Sequence, residues 1–526
     1  MAIITNEELI QLNSLVSESP GLSQPVSLGQ KLLDLEASIA GAGGIPHTLA
    51  AGANTILDDG TTAILSADGT TGALASGKIL GGGTMSAAGV GSRAHGSVDG
   101  AGGVISAAGV GALATGQVFD AAINTYIRAT ADGSLAGGIA SYRGQTGALG
   151  QGSIAWGRAH GVNGRVQAQN SGSMATGFGY YGGQVLATFP GARAHGYAYG
   201  AGSKVQATRY GSVAMGASKG ANSLLRSTAD GAVAMGLATN GAKLQATGVG
   251  AMATGYTKVS NDYLEATGKG ARAHGYVKSG DMNADGVGSV VSGYVRNAGR
   301  ISATDRGSHV FGATSGVMYS YGWGGLTFGY CGLQGFIGSN SNGHGSLCGG
   351  YVGYGGMYAQ GTGSISLGYV DWAYGHMKSE KRGSSIMGVS FGGSLMQAKG
   401  VGSMIRGIGS YSNIISGNDT FPNKAWGTFA GGYSQTGYGI TADGAGAHCA
   451  FAWGLADTAA IVASAKNATQ FGPGTNAQAD SLSVGTGPRL KGTDGAPSTP
   501  RNGDIWVASG YIYMHSNSTT QKITGV

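Results

Sequence analysis

GSVAMG at 211–216 returns as GAVAMG at 231–236, and this pair decides how the chain is to be read. The same shape, G-[SA]-x-A-x-G with loose variants, begins at 91, 111, 133, 152, 172, 191, 211, 231, 250, 270, 288, 307, 345, 363, 383 and 402, mostly at intervals of 19 or 20 residues. Self-similarity at a fixed short period is the signature of a repeat architecture. A second signal lies between the hexads, an aliphatic residue two places before a small one. It reads VQA at 166–168 and 205–207, LQA at 244–246 and MQA at 396–398, some 12 to 14 residues after each hexad starts. Each period therefore holds two short alternating segments joined by glycine-rich turns. Two β-strands fit in that length and a crossover helix does not.

A two-strand unit cannot bury a face alone. Stacking such units about 4.8 Å apart creates two continuous parallel sheets around a shared core. The expected fold is all-β, a parallel β-solenoid (β-roll) of about nineteen coils of 19–20 residues, with the glycines at the hexad ends supplying φ > 0 corners. Hexad positions two and four are nearly always Ser or Ala, whereas positions three and five run from Val and Met to Arg and His. An unpaired arginine cannot sit in the interior, so the small column faces inward and positions three and five face outward. Rows of exposed Val, Met and Leu invite aggregation unless another surface covers them, which points to a homotrimer of rods packed side by side.

Composition agrees with a repeat protein. Among 526 residues there are 105 glycines, and charged residues make up only 11%. The glycines lack collagen's three-residue period, and the abundant aliphatic residues argue against disorder. The net charge of +6 is split unevenly: residues 1–90 carry eight acids and two bases, net −6, which leaves +12 for the rest. No stripe of clustered Lys/Arg with aromatics suggests nucleic-acid binding. Cys331, Cys348 and Cys449 have no metal-ligand spacing and read as free thiols packed as small apolar groups. The N-terminus lacks the features of a signal peptide, and no stretch is apolar enough to span a membrane.

The organisation expected is a helical attachment or oligomerisation segment over 1–44, a short β connector over 45–85, and glycine-rich repeats over 86–455. Degenerate terminal coils over 456–486 and a small C-terminal β module over 487–526 complete it. Capping-box pairs Thr5/Glu8 and Ser27/Gln30 support the helices. GDIWVASGYIYMHSNSTTQKI at 503–523 reads as two or three antiparallel strands.

GSVAMG and GAVAMG resemble the repeats in the heads of trimeric autotransporter adhesins (YadA-like), which form trimeric parallel β-rolls. The resemblance covers roughly 91–485, with a longer period and without a secretion signal or membrane barrel. The ending PSTPRNGDIWVASGYIYMHSNS resembles the terminal module of tailed-bacteriophage fibre proteins. This resemblance implies a non-enzymatic, virion-attached trimer, made in the host cytoplasm and joined to other virion proteins through its N-terminal segment. It implies host polysaccharide or lipopolysaccharide as the surface contacted, with no nucleic acid, membrane insertion or cofactor. Two alternatives come from other classes: a monomeric ice- or surface-binding solenoid, and a polysaccharide depolymerase tailspike.

Two groups of residues are candidate sites. RAHG recurs, and its in-register copies place Arg93, His95, Arg193, His195, Arg272 and His274 where a symmetric assembly could form an axial anion or metal ring. The bland reading is a polar step on an outward row, since no carboxylate recurs to orient the imidazole. Aromatic residues crowd into 319–374, where Tyr321, Trp323, Trp372 and Tyr374 are the candidates for stacking on sugar rings. Structural tyrosine ladders are the competing reading. Asp371 and Glu380 are the best acid pair for a glycosidase.

Overall fold

The structure is a computed structural model of the full chain. It describes residues 64–477 apart from 69–71, 120–124, 297–299, 333–335, 340–343, 354–355, 372–375, 418–426, 444–448 and 466. Short strands at 48–49, 53–54, 481–484, 489–491, 505–508, 511–516 and 519–523 are also described. The helices expected within 1–44 lie outside the described residues.

The chain divides into two compact units, Met1–Gly152 and Ser153–Val526. Each is a parallel β-solenoid of the same coil, with about 18 turns in all and no helix among the described residues. In the first unit the seven-residue strands Leu74–Leu80, Arg93–Asp99, Leu113–Phe119 and Leu135–Ser141 pair in parallel, each with the next. Four-residue strands from Ile64–Ala67 to Gln145–Ala148 form the facing ladder. In the second unit the long-strand ladder runs from Ile154–His160 to Phe451–Ala456. Its short-strand ladder runs from Arg165–Ala168 to Gly474–Asn476.

The pairing reaches back into the stretch read as a connector. Ile64–Ala67 and Leu74–Leu80 join the ladders in register, and GALASG at 72–77 is itself a hexad. Three further hexads depart from the small-residue pattern. GGLTFG at 324–329, GTFAGG at 427–432 and CAFAWG at 449–454 keep the left-handed first position, with φ of +65° at Gly324, +67° at Gly427 and +58° at Cys449. Cys449 is accordingly exposed in a turn, which corrects the expectation that every cysteine packs inside; Cys348 is buried. Near the C-terminus Ile505–Ala508, Tyr511–Ser516 and Thr519–Ile523 pair antiparallel in sequence order.

Through the coils from 174 to 266 the core sets a small residue on the long strand against a large one on the short strand, whereas Val291, Val310, Ile386 and Ile405 take the small residue's place further on. On the long strands Ala175, Ala194, Ala214, Ala234 and Ala253 are at most 1% exposed. Facing them on the short strands, the aliphatic member of the second motif fills the interior at Val185, Val205, Leu225, Leu244 and Leu264, all fully buried. Positions two and four of the hexad thus point inward as expected. Serine at position two also closes the turn ahead of each strand. Ser173 and Ser212 donate their hydroxyls to the carbonyls of Asn170 and Arg209 at 2.6 and 2.7 Å.

The two hexad glycines differ in kind. Gly211 has φ +59° in an open turn, where a Cβ would meet nothing within 4 Å. Gly216 stands not at the expected turn but inside the strand Val213–Lys219. There φ is +134° and a Cβ would lie 1.9 Å from the carbonyl oxygen of Gly236 in the next coil. The chain bends within the strand so closely against its neighbour that only a hydrogen fits.

Candidate functional site

On the long strands the residues at hexad positions three and five, and the residue after the closing glycine, point away from the core. Along Val213–Lys219 only Ala214 and Ser218 are fully buried, while Met215 is 41% exposed. In the second unit much of this outward face is apolar, carrying Trp156, Val213, Met215, Val233, Met235 and Phe311 among others, with polar coils at Arg193/His195 and Arg272/His274 between them. The residue after the closing glycine adds a tyrosine ladder. Tyr256, Tyr276 and Tyr294 occupy successive coils with ring centroids 5.2 Å apart at both steps. Tyr330, Tyr351 and Tyr369 repeat this at 5.1 and 4.8 Å, with rings within 17° of parallel. The spacing is that of the strands, so register alone produces the stack. The ladder reading of the aromatic section therefore holds for these three rings. The signal was in the sequence, as Tyr directly after the closing Gly.

The RAHG residues lie on the same outward face, all six exposed. Within one chain they do not come together. Arg193–Tyr199 and Arg272–Lys278 are four coil steps apart, and Arg93 and His95 belong to the first unit. Each histidine instead meets a hydroxyl of the preceding coil. Nδ1 lies 2.9 Å from Ser76 Oγ at His95, 2.5 Å from Thr176 Oγ1 at His195 and 2.5 Å from Thr254 Oγ1 at His274. That recurrent partner was invisible to a search for carboxylates. Among the described residues no group of three or more His, Cys, Asp or Glu could hold a metal ion.

Of the sugar-stacking candidates, Trp372 and Tyr374 lie outside the described residues. Trp323 is 60% exposed at a turn, with His344 as its ring neighbour at 5.3 Å. Tyr321 lies on the short-strand side and packs on Tyr319 at 4.9 Å. It helps line a cleft of about 140 Å³ with Tyr319, Phe336, Gly338, Tyr358 and Gln360. The cleft exists because Gly338 stands between Tyr319 and Tyr358 in register, and the Phe336 ring leans over it. Burial pushes the Tyr321 and Tyr358 phenols above their ordinary range, so both stay neutral donors at physiological pH. Asp371 and Glu380 do not form a pair. Asp371 ends a long strand and accepts from Tyr369 Oη at 2.8 Å, whereas Glu380 follows a short strand and accepts from Gln397 Nε2 at 2.6 Å.

The outward face of the short-strand sheet is different in character. From Arg165 to Gln245 it presents cations and amides, and beside them runs a row not noticed in the sequence. Thr188, Thr208, Thr228, Thr247 and Thr267 each follow a short strand in five successive coils. Each donates its backbone N–H to the next coil. Its signal in the sequence is Thr directly after the buried Ala or Ser that ends each of these five short strands. No helix among the described residues is long and apolar enough to cross a membrane. No protein-family model matches the chain, and no curated protein sequence matches it.

Proposed function

We propose that this chain forms the shaft of a homotrimeric virion fibre that attaches to a host surface and carries no catalytic activity of its own. The single observation behind the reading is the outward long-strand face of the second unit. Apolar runs such as Val213–Val233 and Met215–Met235 stand in register along the ladder between polar coils, and such exposed apolar runs on a lone rod are an aggregation hazard. Three copies packed through these faces would cover it and leave the short-strand faces open to the surroundings. Exposed aromatic side chains such as Trp323 would then contact host glycan, and the segment 1–44 would join the shaft to other virion proteins. Light scattering on the purified full chain tests the assembly: a mass three times that of one chain is expected, and a stable monomer overturns the trimer.

One observation favours a second reading, a solenoid that binds ice or another regular surface. The five-coil threonine row places hydroxyls at the strand spacing of about 4.8 Å. Thermal hysteresis in a freezing assay, lost on replacing Thr208, Thr228 and Thr247 with Tyr, would decide for it.

A further inference from the structure

We propose that the outward face of the short-strand sheet from Arg165 to Gln245 is a binding track for a linear anionic polysaccharide, sulfated or carboxylated along its length. The proposal rests on the attachment reading, since it names the class of surface polymer that the exposed side of the shaft would meet. Residues 153–262 hold nine Lys/Arg and two acids, net +7, more positive than the whole chain at +6. One of those acids, Asp262, is fully buried and turned inward on backbone N–H groups of Lys258, Val259, Ser279 and Gly280. It neutralises little of the surface outside.

Four of the nine cations stand on five consecutive short strands whose register is continuous: Arg165, Lys204, Arg226 and Lys243. Each strand presents two outward positions, and none of the ten carries a carboxylate or an aromatic ring. Glutamines fill positions 167, 184, 206 and 245 beside the cations, half-buried at 184 and 245 and buried at 167 and 206. Arg165, Lys204 and Lys243 share one column at every second coil, and Arg226 stands in the adjacent column between the last two. Like charges so spaced repel one another, and none of the ten outward positions carries an acid to answer them. Lys243 at its end leans on the Tyr263 ring at 4.9 Å, and Glu265 beyond it attracts that ammonium. The other three have no such neighbour, and the buried Nε atoms of Arg165 and Arg226 lack a hydrogen-bond partner. A chain polymer laid along the ladder would bring an anionic group and several hydroxyls to each pair of coils. Guanidinium and ammonium groups suit the former, and the amides of Gln184 and Gln245 suit the latter. Single-stranded nucleic acid is the less favoured polyanion, because it wants aromatic platforms for its bases and the track has none.

The test uses the purified full chain and immobilised dextran sulfate, with neutral dextran and a mixed-sequence single-stranded DNA as comparison probes. Wild type should bind dextran sulfate, release it as salt rises, and ignore neutral dextran. The triple variant Arg165→Gln, Lys204→Gln, Arg226→Gln should bind about tenfold more weakly or worse, with a shallower salt dependence. A control triple that removes the same charge elsewhere, Lys258→Gln, Lys269→Gln, Lys278→Gln, should stay within about threefold of wild type. Should the track triple fail to fold by circular dichroism, Lys204→Gln and Arg226→Gln are measured singly and must each weaken binding. Equal losses in both triples would mean that net charge alone acts, and would overturn the track. DNA binding as tight as dextran sulfate, lost in the same variant, would overturn the polysaccharide assignment. Dextran sulfate binding that depends on the track, in a protein that never adsorbs to cells, would leave the track standing and remove the attachment reading.

Discussion

The long-strand and short-strand faces of the second unit share one core and one register, yet they carry opposite chemistry. The first shows Met, Val, Trp and stacked Tyr, and the second shows Lys, Arg, Gln and Thr between 165 and 247. Inward positions are dictated by the coil, because the two sheets close only over buried side chains that fill the space between them, mostly alanine against a larger aliphatic. Outward positions are free of that demand. Under the proposals above, what is written there suits what each face would meet: another apolar surface on one side, and water or a charged partner on the other.

The largest expected effect comes from the core on which both faces depend. Ala214→Leu adds volume to a fully buried column and should cost about 1–3 kcal/mol or more, enough to prevent soluble folding in a repeat whose neighbours share the strain. Met215→Leu, one residue on and outward, should be tolerated. Equal tolerance at the two sites, read by soluble yield and thermal melting, would contradict the alternation on which the comparison of faces rests. Gly216→Ala should be as damaging as Ala214→Leu, and Gly211→Asn close to neutral, because only the first would drive a side chain into a backbone carbonyl.

Next in size is assembly. If the chain assembles as proposed, replacing Val213, Met215, Val233 and Met235 with Ser should weaken the trimer toward monomer in light scattering while leaving β-content in place. Serine at Gln206 and Gln245 on the opposite face should leave the mass unchanged. If the two sets behave alike, the faces do not differ in role.

Smaller still is the effect of Trp323→Ala. Its ring is mostly exposed, so the melting temperature should move little while adsorption to host cells or their polysaccharide falls. A clear drop in melting temperature with adsorption intact would make the ring a structural prop.

The smallest effect concerns the acid that ends the basic stretch. Burial, opposed by Lys243, holds the Glu265 carboxyl above the usual carboxylate range. A raised folded pKa means that the folded state binds the proton more tightly than the unfolded state. Stability is therefore fully present at low pH and is lost as pH rises through the raised value. Glu265→Gln should raise the melting temperature slightly at neutral pH and leave it unchanged near pH 3, about one unit below the free carboxyl. A fall at neutral pH would show that attraction to Lys243 outweighs burial.

Much of this was legible in the chain itself. The interval between GSVAMG and GAVAMG required a stacked two-strand coil, and the arginines at positions three and five required the small column to face inward. Both inferences rest on local chemistry that repeats, so each coil confirms the next. The sequence alone also held the Gly-Tyr pairs and the threonine row, though neither stands out until register aligns them.

Tertiary structure decided the rest. GGLTFG, GTFAGG and CAFAWG are hexads by backbone angle and not by composition, because the neighbouring coils impose the turn whatever residue fills it. The closing glycine is irreplaceable for contact with a carbonyl 20 residues away, a constraint that no reading of its own neighbours reveals. Asp371 and Glu380, nine residues apart in the chain, part to different sheets, and His95, His195 and His274 each find a hydroxyl one coil back. In a solenoid, position along the chain sets which column a residue joins, and the stacking of coils sets what it touches.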